Sequence, residues 1–392
     1  MAIGKTVFAQ LMDYVPDRTF RRIVERYKGD RRVRRFSCWD QFLTMAFAQL
    51  TYRESLRDIE ACVESLGKAR YHSGMRSRAA RSTLADANDR RPWQMYQDFT
   101  HVLIAQARPL YQHERLVDAF TDAVYALDAT IIELCLKLFP WAKANNYIKT
   151  RAGVKLHTQL DVRANLPVFA MVSVANMNER LFLDHLIFEP GAFYIMDRGY
   201  TAFERLRKID LAGAFFLIRA KRDLNFVRVA SHPVNKLSGV RLDQSIRLNV
   251  PLSYHYYPDD LRRIKLYDRV TDTSIVVLTN NFVLDALTIG QLYRARWRVE
   301  LFFKWIKQHL RIKAFYGTSF NAVNTQIWIA LAVYVLVAIV KKRLNLDAPL
   351  YNILQILSVS LFQKEPLNQV LTAGNVLNSE GHDPNQLSLF TF

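Results

Sequence analysis

Between Leu292 and Lys313 the chain reads LYRARWRVELFFKWIKQHLRIK, with no Gly or Pro. Its apolar residues Leu292, Val299, Phe303, Ile306 and Leu310 fall in one stripe at about 100° per residue, which predicts an amphipathic helix with one buried side. Beside that stripe Tyr293, Arg296, Glu300, Lys307 and Arg311 cluster together. A lone carboxylate among cations, next to a buried face, suits an acid that holds a metal while its neighbours grip phosphate oxygens. A solvated i,i+4 ladder of Arg296, Glu300 and Lys304 would produce the same stripe without any chemistry. Two more acids bear on the choice: Asp128 closes the apolar segment VYALD and Asp197 closes FYIMD. Each alone is an ordinary strand-end carboxylate.

The elements around these acids give them a common place. Val124–Asp128 predicts a strand, and two more, Val154–Leu160 and Val168–Val174, are joined by the turn-rich DVRANLP. Phe193–Asp197 predicts a fourth strand, the helical TAFERLRKIDLAG follows, and AFFLIRAK predicts a fifth strand. Three strands in hairpin order, then alternating helix and strand, is the plan of an α/β, ribonuclease-H-like fold. Its first and fourth strands are neighbours, so Asp128 and Asp197 are expected side by side, with Glu300 delivered by a helix packed on the sheet. Three carboxylates at one point repel unless divalent cations neutralise them, and oxygen-only ligands select Mg²⁺ or Mn²⁺. Two such ions activate an attacking water or 3′-hydroxyl and stabilise the leaving oxygen of a phosphodiester. No covalent nucleophile is required, and no supporting His and Arg cluster marks Tyr293 as one. Residues 221–285 are β-rich and polar and separate the fifth strand from Glu300, which predicts an inserted β subdomain.

Composition narrows the partners. The 392 residues, 50 % hydrophobic, allow two or three domains, and a net charge of +18 from 54 basic and 36 acidic residues points to a polyanion. The basic residues lie within folded-looking sequence, which favours a DNA-binding enzyme over a histone-like arm. Cys38, Cys62 and Cys135 form no paired motif, the nine histidines show no metal spacing, and the first residues carry too short an apolar run for a signal peptide. Ile327–Val340 is an apolar run of 14 residues, short of the roughly 20 needed to cross a bilayer, so a buried core helix is expected. A membrane-associated protein built around that run is the competing reading. Residues 1–118 read as helical. Arg18–Arg35 is dense in arginine and lysine, Ser37 predicts an N-cap, and Ser82 or Thr83 is expected to cap a helix bearing Asp86, Asn88 and Arg90. Helix, basic turn, helix is the outline of a helix-turn-helix reader, and equally of a plain αα-hairpin.

Tyr293, Arg296, Glu300 and Lys307 stand as Tyr-x2-Arg-x3-Glu-x6-Lys, which resembles the YREK signature of DDE transposases of the insertion-sequence-four family. The segments YALDAT, GVKLHTQLD, PGAFYIMDRGY, FFLIRAK and LTNNF resemble the same family, and the likeness covers nearly the whole chain. It implies a cut-and-paste transposase that binds terminal inverted repeats and target DNA, works as a homodimer in a synaptic complex, and catalyses metal-dependent hydrolysis and strand transfer in the bacterial cytoplasm, at the nucleoid, without a membrane. It further implies Asp128, Asp197 and Glu300 as ligands of two Mg²⁺ ions, with Mn²⁺ able to substitute, and Tyr293, Arg296, Lys307 and Arg311 as DNA contacts. The domains expected are 1–118 for DNA binding, 119–220 with 286–345 as catalytic core, 221–285 as the insert, and 346–392 as a helical segment and tail. In the family an aromatic of the insert stacks on a flipped base; Tyr254, Tyr256 and Tyr257 are the candidates here. One departure stands out: where many relatives have His-Asp between the two aspartates, this chain has Asn178-Glu179, which leaves open a catalytically inactive or domesticated relative. The tail segment Gln386, Leu387, Ser388, Leu389 and Phe390 resembles the peptide by which bacterial proteins dock on the replication sliding clamp, with Leu389 and Phe390 as apolar anchors.

Overall fold

The computed structural model describes residues 4–114, 116, 122–142, 152–268, 272–309 and 315–373. The chain opens with helices α1 (Val7–Met12), α2 (Asp17–Arg26), α3 (Cys38–Leu50), α4 (Leu56–Ser65), α5 (Lys68–His72), α6 (Arg81–Arg90) and α7 (Gln94–Ala107). Strands β1 (Val124–Leu134), β2 (Ala152–Asp161), β3 (Leu166–Val174) and β4 (Phe193–Met196) follow, then α8 (Phe203–Leu211) and β5 (Phe215–Arg219). Next come β6 (Phe226–Ser231), β7 (Val240–Leu248), α9 (Pro251–Tyr256), β8 (Leu261–Asp268) and β9 (Thr273–Thr279). Helices α10 (Ala286–Arg294), α11 (Trp297–His309), α12 (Phe320–Arg343), α13 (Leu350–Ser360) and α14 (Leu367–Ala373) complete the described chain. It forms two compact units: α1–α7 with α12–α14, and β3–β9 with α8–α10, while β1, β2 and α11 run through the division.

The helical unit is organised around α12. Its residues from Ala322 to Val340 are all buried, against α7, α3, α6 and α13 among others. The apolar run alone suggests 14 residues, but the helix has 24 because Asn324, Thr325 and Gln326 are also buried ahead of it. Ser319 caps the start by accepting from the Ala322 amide, and Lys341, Lys342 and Arg343 complement the dipole at the end. By length and composition α12 could cross a membrane, yet its apolar window is wholly buried by protein. Ser37 caps α3 in a reciprocal box with Asp40, as expected. The expected cap of α6 is displaced: its N-cap is Ala80, where the backbone is extended, so Ser82 and Thr83 lie inside the first turn.

One nine-stranded sheet has the order β3-β2-β1-β4-β5-β9-β8-β7-β6. β1 pairs parallel with β4 and β4 parallel with β5. Tyr125, Leu127, Tyr194, Met196, Phe216 and Ile218 project into a core shared with Leu206 and Ile209 of α8, which is the period-2 and period-3.6 apolar patterning of these segments put to use. Asp128 does not end its strand: β1 continues through Thr130, Ile132 and Leu134, which alternate inward. The polar segment 221–285 does not stand apart from the sheet. Its last strand, β9, pairs antiparallel with the free edge of β5, at Leu217↔Thr279 and Ile218↔Leu278, and β8, β7 and β6 extend from there. Tyr254 and Tyr256 lie exposed on α9 rather than in a strand, while Tyr257 is buried and donates to Asp210 Oδ2 at 2.9 Å.

Candidate active site

Two acids meet through strand register. Leu127↔Met196 is the last paired position of β1 and β4, so Asp128 and Asp197 each follow it by one residue on adjacent parallel strands. Asp197 Oδ1 accepts from the Gly199 amide at 2.8 Å and opens a tight turn over Arg198–Tyr200. Asp128 Oδ1 accepts from the Ala129 amide at 2.8 Å.

The third acid arrives because a helix breaks. The sequence predicts one continuous helix from Leu292 to Lys313, but α10 ends at Arg294 and α11 begins at Trp297. Between them the bonding tightens: the Arg296 amide donates to Tyr293 O and the Val299 amide to Arg296 O, each at 3.1 Å. The break gives Arg296 its own direction. One Nη lies 3.8 Å from Asp128 Oδ2, and the other donates to Glu300 Oε1 at 2.5 Å. Asp128 and Glu300 therefore bracket a single guanidinium. The first rung of the solvated-ladder alternative is thus present, but the Arg296 side chain is only 19 % exposed and serves a half-buried acid as well.

Burial pushes the Asp128 carboxyl up to about 7. The Ala129 amide and Arg296 oppose that rise, while the charges of Asp197 and Glu300 add to it. Among the described residues, no three His, Cys, Asp or Glu side chains are drawn close enough to hold a metal as they stand; Arg296 supplies the counter-charge instead. The donor set still fits a hard cation, being all oxygen and including a carboxyl whose charge burial disfavours when uncompensated.

Tyr293 is buried beside this group. Burial raises its phenol above the ordinary value while Arg296 and Arg219 pull the other way, so it is a neutral donor at neutral pH, suited to a phosphate oxygen and not to nucleophilic attack. Lys307 follows Glu300 by seven residues on α11, half-buried and on nearly the same helix face. Arg311, and Gln386, Leu387, Leu389 and Phe390 of the tail, lie outside the described residues.

Three residues escaped the sequence reading. Arg219 ends β5 and acts on Tyr293. Lys155 sits almost fully buried in β2 and donates to Glu179 Oε1 at 3.2 Å. Tyr200 is fully buried beside Asp128, Glu179 and Asp197. The signals were a lysine within an apolar strand and the Asn178-Glu179 departure, which sequence spacing alone placed outside the acid group.

Residues 119–336, over half of the chain, match the family described as the transposase DDE domain. The chain belongs to the DDE transposases. Residues 3–76 match a separate family, a domain of unknown function (DUF4372). Among similar proteins, y4zB of Sinorhizobium fredii, named as a transposase, is 31 % identical over 72 % of this chain and 78 % of its own length. A Geobacillus stearothermophilus protein named as a transposase of insertion element IS5377 is 29 % identical over 55 % of this chain and 56 % of its own. A Synechocystis protein named for element IS4SA is 23 % identical over 54 % of this chain and 59 % of its own. These relatives make the chain an insertion-sequence transposase of the DDE kind. Among solved structures, the piggyBac transposase synaptic complex with hairpin DNA aligns over 95 % of this chain and 83 % of that one at a TM-score of 0.44 and 10 % identity, a likeness too loose to carry fold or function.

Proposed function

We propose that this transposase cuts its element out of DNA and joins it to a target, with Asp128, Asp197 and Glu300 as the metal-binding acids. The observation that carries the reading is the convergence of Asp128 and Glu300 on one guanidinium, beside an Asp197 that register places next to Asp128. The strand order β3-β2-β1-β4-β5, with β1, β4 and β5 parallel, supports a ribonuclease-H-like core.

Two Mg²⁺ ions, or Mn²⁺ in their place, would be held by these three carboxylates and would supply an activated water or 3′-hydroxyl and a stabilised leaving oxygen. The protein's own groups do the rest. Arg296 keeps Asp128 and Glu300 paired, and Tyr293 donates a neutral hydrogen bond toward a phosphate oxygen. Lys307, about two turns beyond Glu300 on α11, suits a phosphate farther along the strand, and Arg311 is taken as a further DNA contact. Purified protein with DNA carrying the element's own ends is expected to release the element in Mg²⁺ and not in EDTA. Ends that are bound but never cut in either condition would favour a DNA-binding relative without catalysis.

DNA capture by the N-terminal region is supported by a groove of about 1170 Å³ whose lining includes Lys28, Arg31, Arg34, Arg35, Arg76, Arg78 and Arg90. Arg78 is paired with Glu64 at 2.7 Å and Arg90 lies 3.9 Å from Asp86, whereas Arg31, Arg34, Arg35 and Arg76 have no ion pair among the described residues. Cations gathered in a concave surface without partners suit a phosphate backbone. Arg31→Ala with Arg34→Ala is expected to weaken DNA binding at all sequences and to lower the slope of log affinity against log salt by about 2, read by fluorescence anisotropy. An unchanged slope would remove the groove from the DNA path. The reading also takes in a synaptic homodimer, and sliding-clamp docking through Gln386, Leu387, Leu389 and Phe390.

A further inference from the structure

The Asn178-Glu179 pair, a departure from the family pattern in sequence, has a definite place in space. Asn178 caps the turn Glu179–His185, its Oδ1 accepting from the Arg180 amide at 3.1 Å. Glu179 is then tethered from below: Lys155 Nζ donates to Glu179 Oε1 at 3.2 Å and to the Met177 carbonyl at 2.9 Å. The lysine side chain is 8 % exposed, so this is a buried ammonium whose charge is compensated by one carboxylate and one carbonyl. Removing either partner would strand a buried charge. The tether holds the second oxygen, Oε2, against the turn that follows Asp197.

Gly199 is the measure of that closeness. A β-carbon there would lie 2.9 Å from Glu179 Oε2 and 3.0 Å from Asp197 Oδ1. Two carboxylate oxygens thus close over one glycine, whose amide is already bound to Asp197 Oδ1 at 2.8 Å. A second observation comes from the next residue. Tyr200 is fully buried, its hydroxyl has no hydrogen-bond partner among the described residues, and the negative charges acting on it are those of Asp128, Glu179 and Asp197. Burial and these three charges keep the hydroxyl protonated. A buried, unspent donor that feels the charges of all three carboxylates agrees with the Gly199 geometry in bringing Glu179 near Asp197.

We propose that Glu179, anchored by Lys155, is a positioning residue for the reaction: it braces the Asp197–Gly199–Tyr200 turn and so fixes the direction in which Asp197 presents its carboxylate. Because Lys155 neutralises it, Glu179 adds bracing without adding net negative charge beside Asp128. On this account Asn178-Glu179 is a working part of the site and not a mark of decay. The inference rests on the reading of Asp197 as a metal ligand.

The test compares wild type, Glu179→Ala and the near-isosteric Glu179→Gln in the full chain, with two readouts. One is single-turnover cleavage of end DNA against Mg²⁺ concentration. The other, independent of cleavage, is the rise in melting temperature as Mn²⁺ is titrated. Loss of an outer partner of a metal ligand typically costs about 10–100-fold in metal affinity or activity. Glu179→Ala, and Glu179→Gln to a smaller degree, are expected to raise the half-saturating metal concentration within that range in both readouts, with end-DNA affinity close to wild type; the metal-free melting temperature falls in Glu179→Ala, which strands the Lys155 ammonium, and stays close to wild type in Glu179→Gln, whose amide oxygen still accepts from Lys155. A folded Glu179→Gln or Glu179→Ala protein with half-saturation within twofold of wild type in both readouts would overturn the inference. If wild type binds Mn²⁺ but cuts no DNA, the catalytic reading fails by itself, and the Mn²⁺ titration still decides the role of Glu179.

Discussion

Asp197→Ala is expected to lower end cleavage by about a thousandfold or more, with end-DNA binding retained. Two losses are combined in that substitution: a negative oxygen ligand, and the acceptor that holds the Gly199 amide at 2.8 Å. Asp197→Asn separates them. The amide oxygen still accepts from Gly199, so the turn is kept, but the charge is gone. If Asp197 works as an anionic ligand, both variants fall together, because a neutral amide oxygen holds a hard divalent cation far more weakly than a carboxylate does. Were the residue only a cap, Asn would restore most of the rate and only Ala would fail. The measurement is single-turnover cleavage of labelled end DNA, with gel-shift affinity as the control. Asn cleaving within tenfold of wild type would sink the ligand assignment. The half-buried position of Asp197 also makes the binding control informative, since removing this side chain leaves no large cavity.

What could be read from the residues alone, and what could not, follows from the range of the interactions. The segments carrying Asp128 and Asp197 were legible as strands because short apolar runs bounded by turn residues mark buried strands locally. Their adjacency followed once three strands in hairpin order preceded a helix. That Asp128 stands mid-strand was not legible: Ala129 and Ile131 point away from the core and blur the alternation. The break at Ala295–Arg296 left no trace either, since Ala and Arg are good helix formers and only tertiary contacts of Arg296 set its direction. The polar strands β6–β9 were visible as strands, but period 2 does not say which edge a strand will join; the free edge of β5 decided that. The place of Glu179 beside the turn after Asp197 was missed for the same reason. It lies 18 residues before Asp197 in sequence, and only the path from β3 into β4 returns it to the turn after Asp197.

The metal-free protein is expected to lose stability as pH rises from about 4 to about 7, and Asp128 is the cause. Its carboxyl goes from an ordinary 3.8 up to about 7, first through burial and then through Asp197 and Glu300, against the pull of the Ala129 amide and Arg296. Between those two values the folded chain holds a proton that the unfolded chain has released. The folded state therefore binds more protons, and the slope of unfolding free energy with pH is negative. The effect is complete above pH 7, where both states are ionised and the folded one bears a desolvated charge; its size is on the order of 2–4 kcal/mol. Asp128→Asn removes the titrating proton, so its melting temperature in EDTA is expected to exceed that of wild type above pH 7 and to approach it near pH 4. Magnesium should act in the opposite sense to the rise in pH. A cation binds the ionised carboxylates and competes with the proton, so the melting-temperature gain from Mg²⁺ should be larger at pH 8 than at pH 6 in wild type and small in Asp128→Asn. Melts across pH 4–8, with EDTA or Mg²⁺, decide the matter. Parallel curves for the two proteins would show that Asp128 ionises without cost, and an acid that is comfortable without a cation would be a poor candidate for holding one.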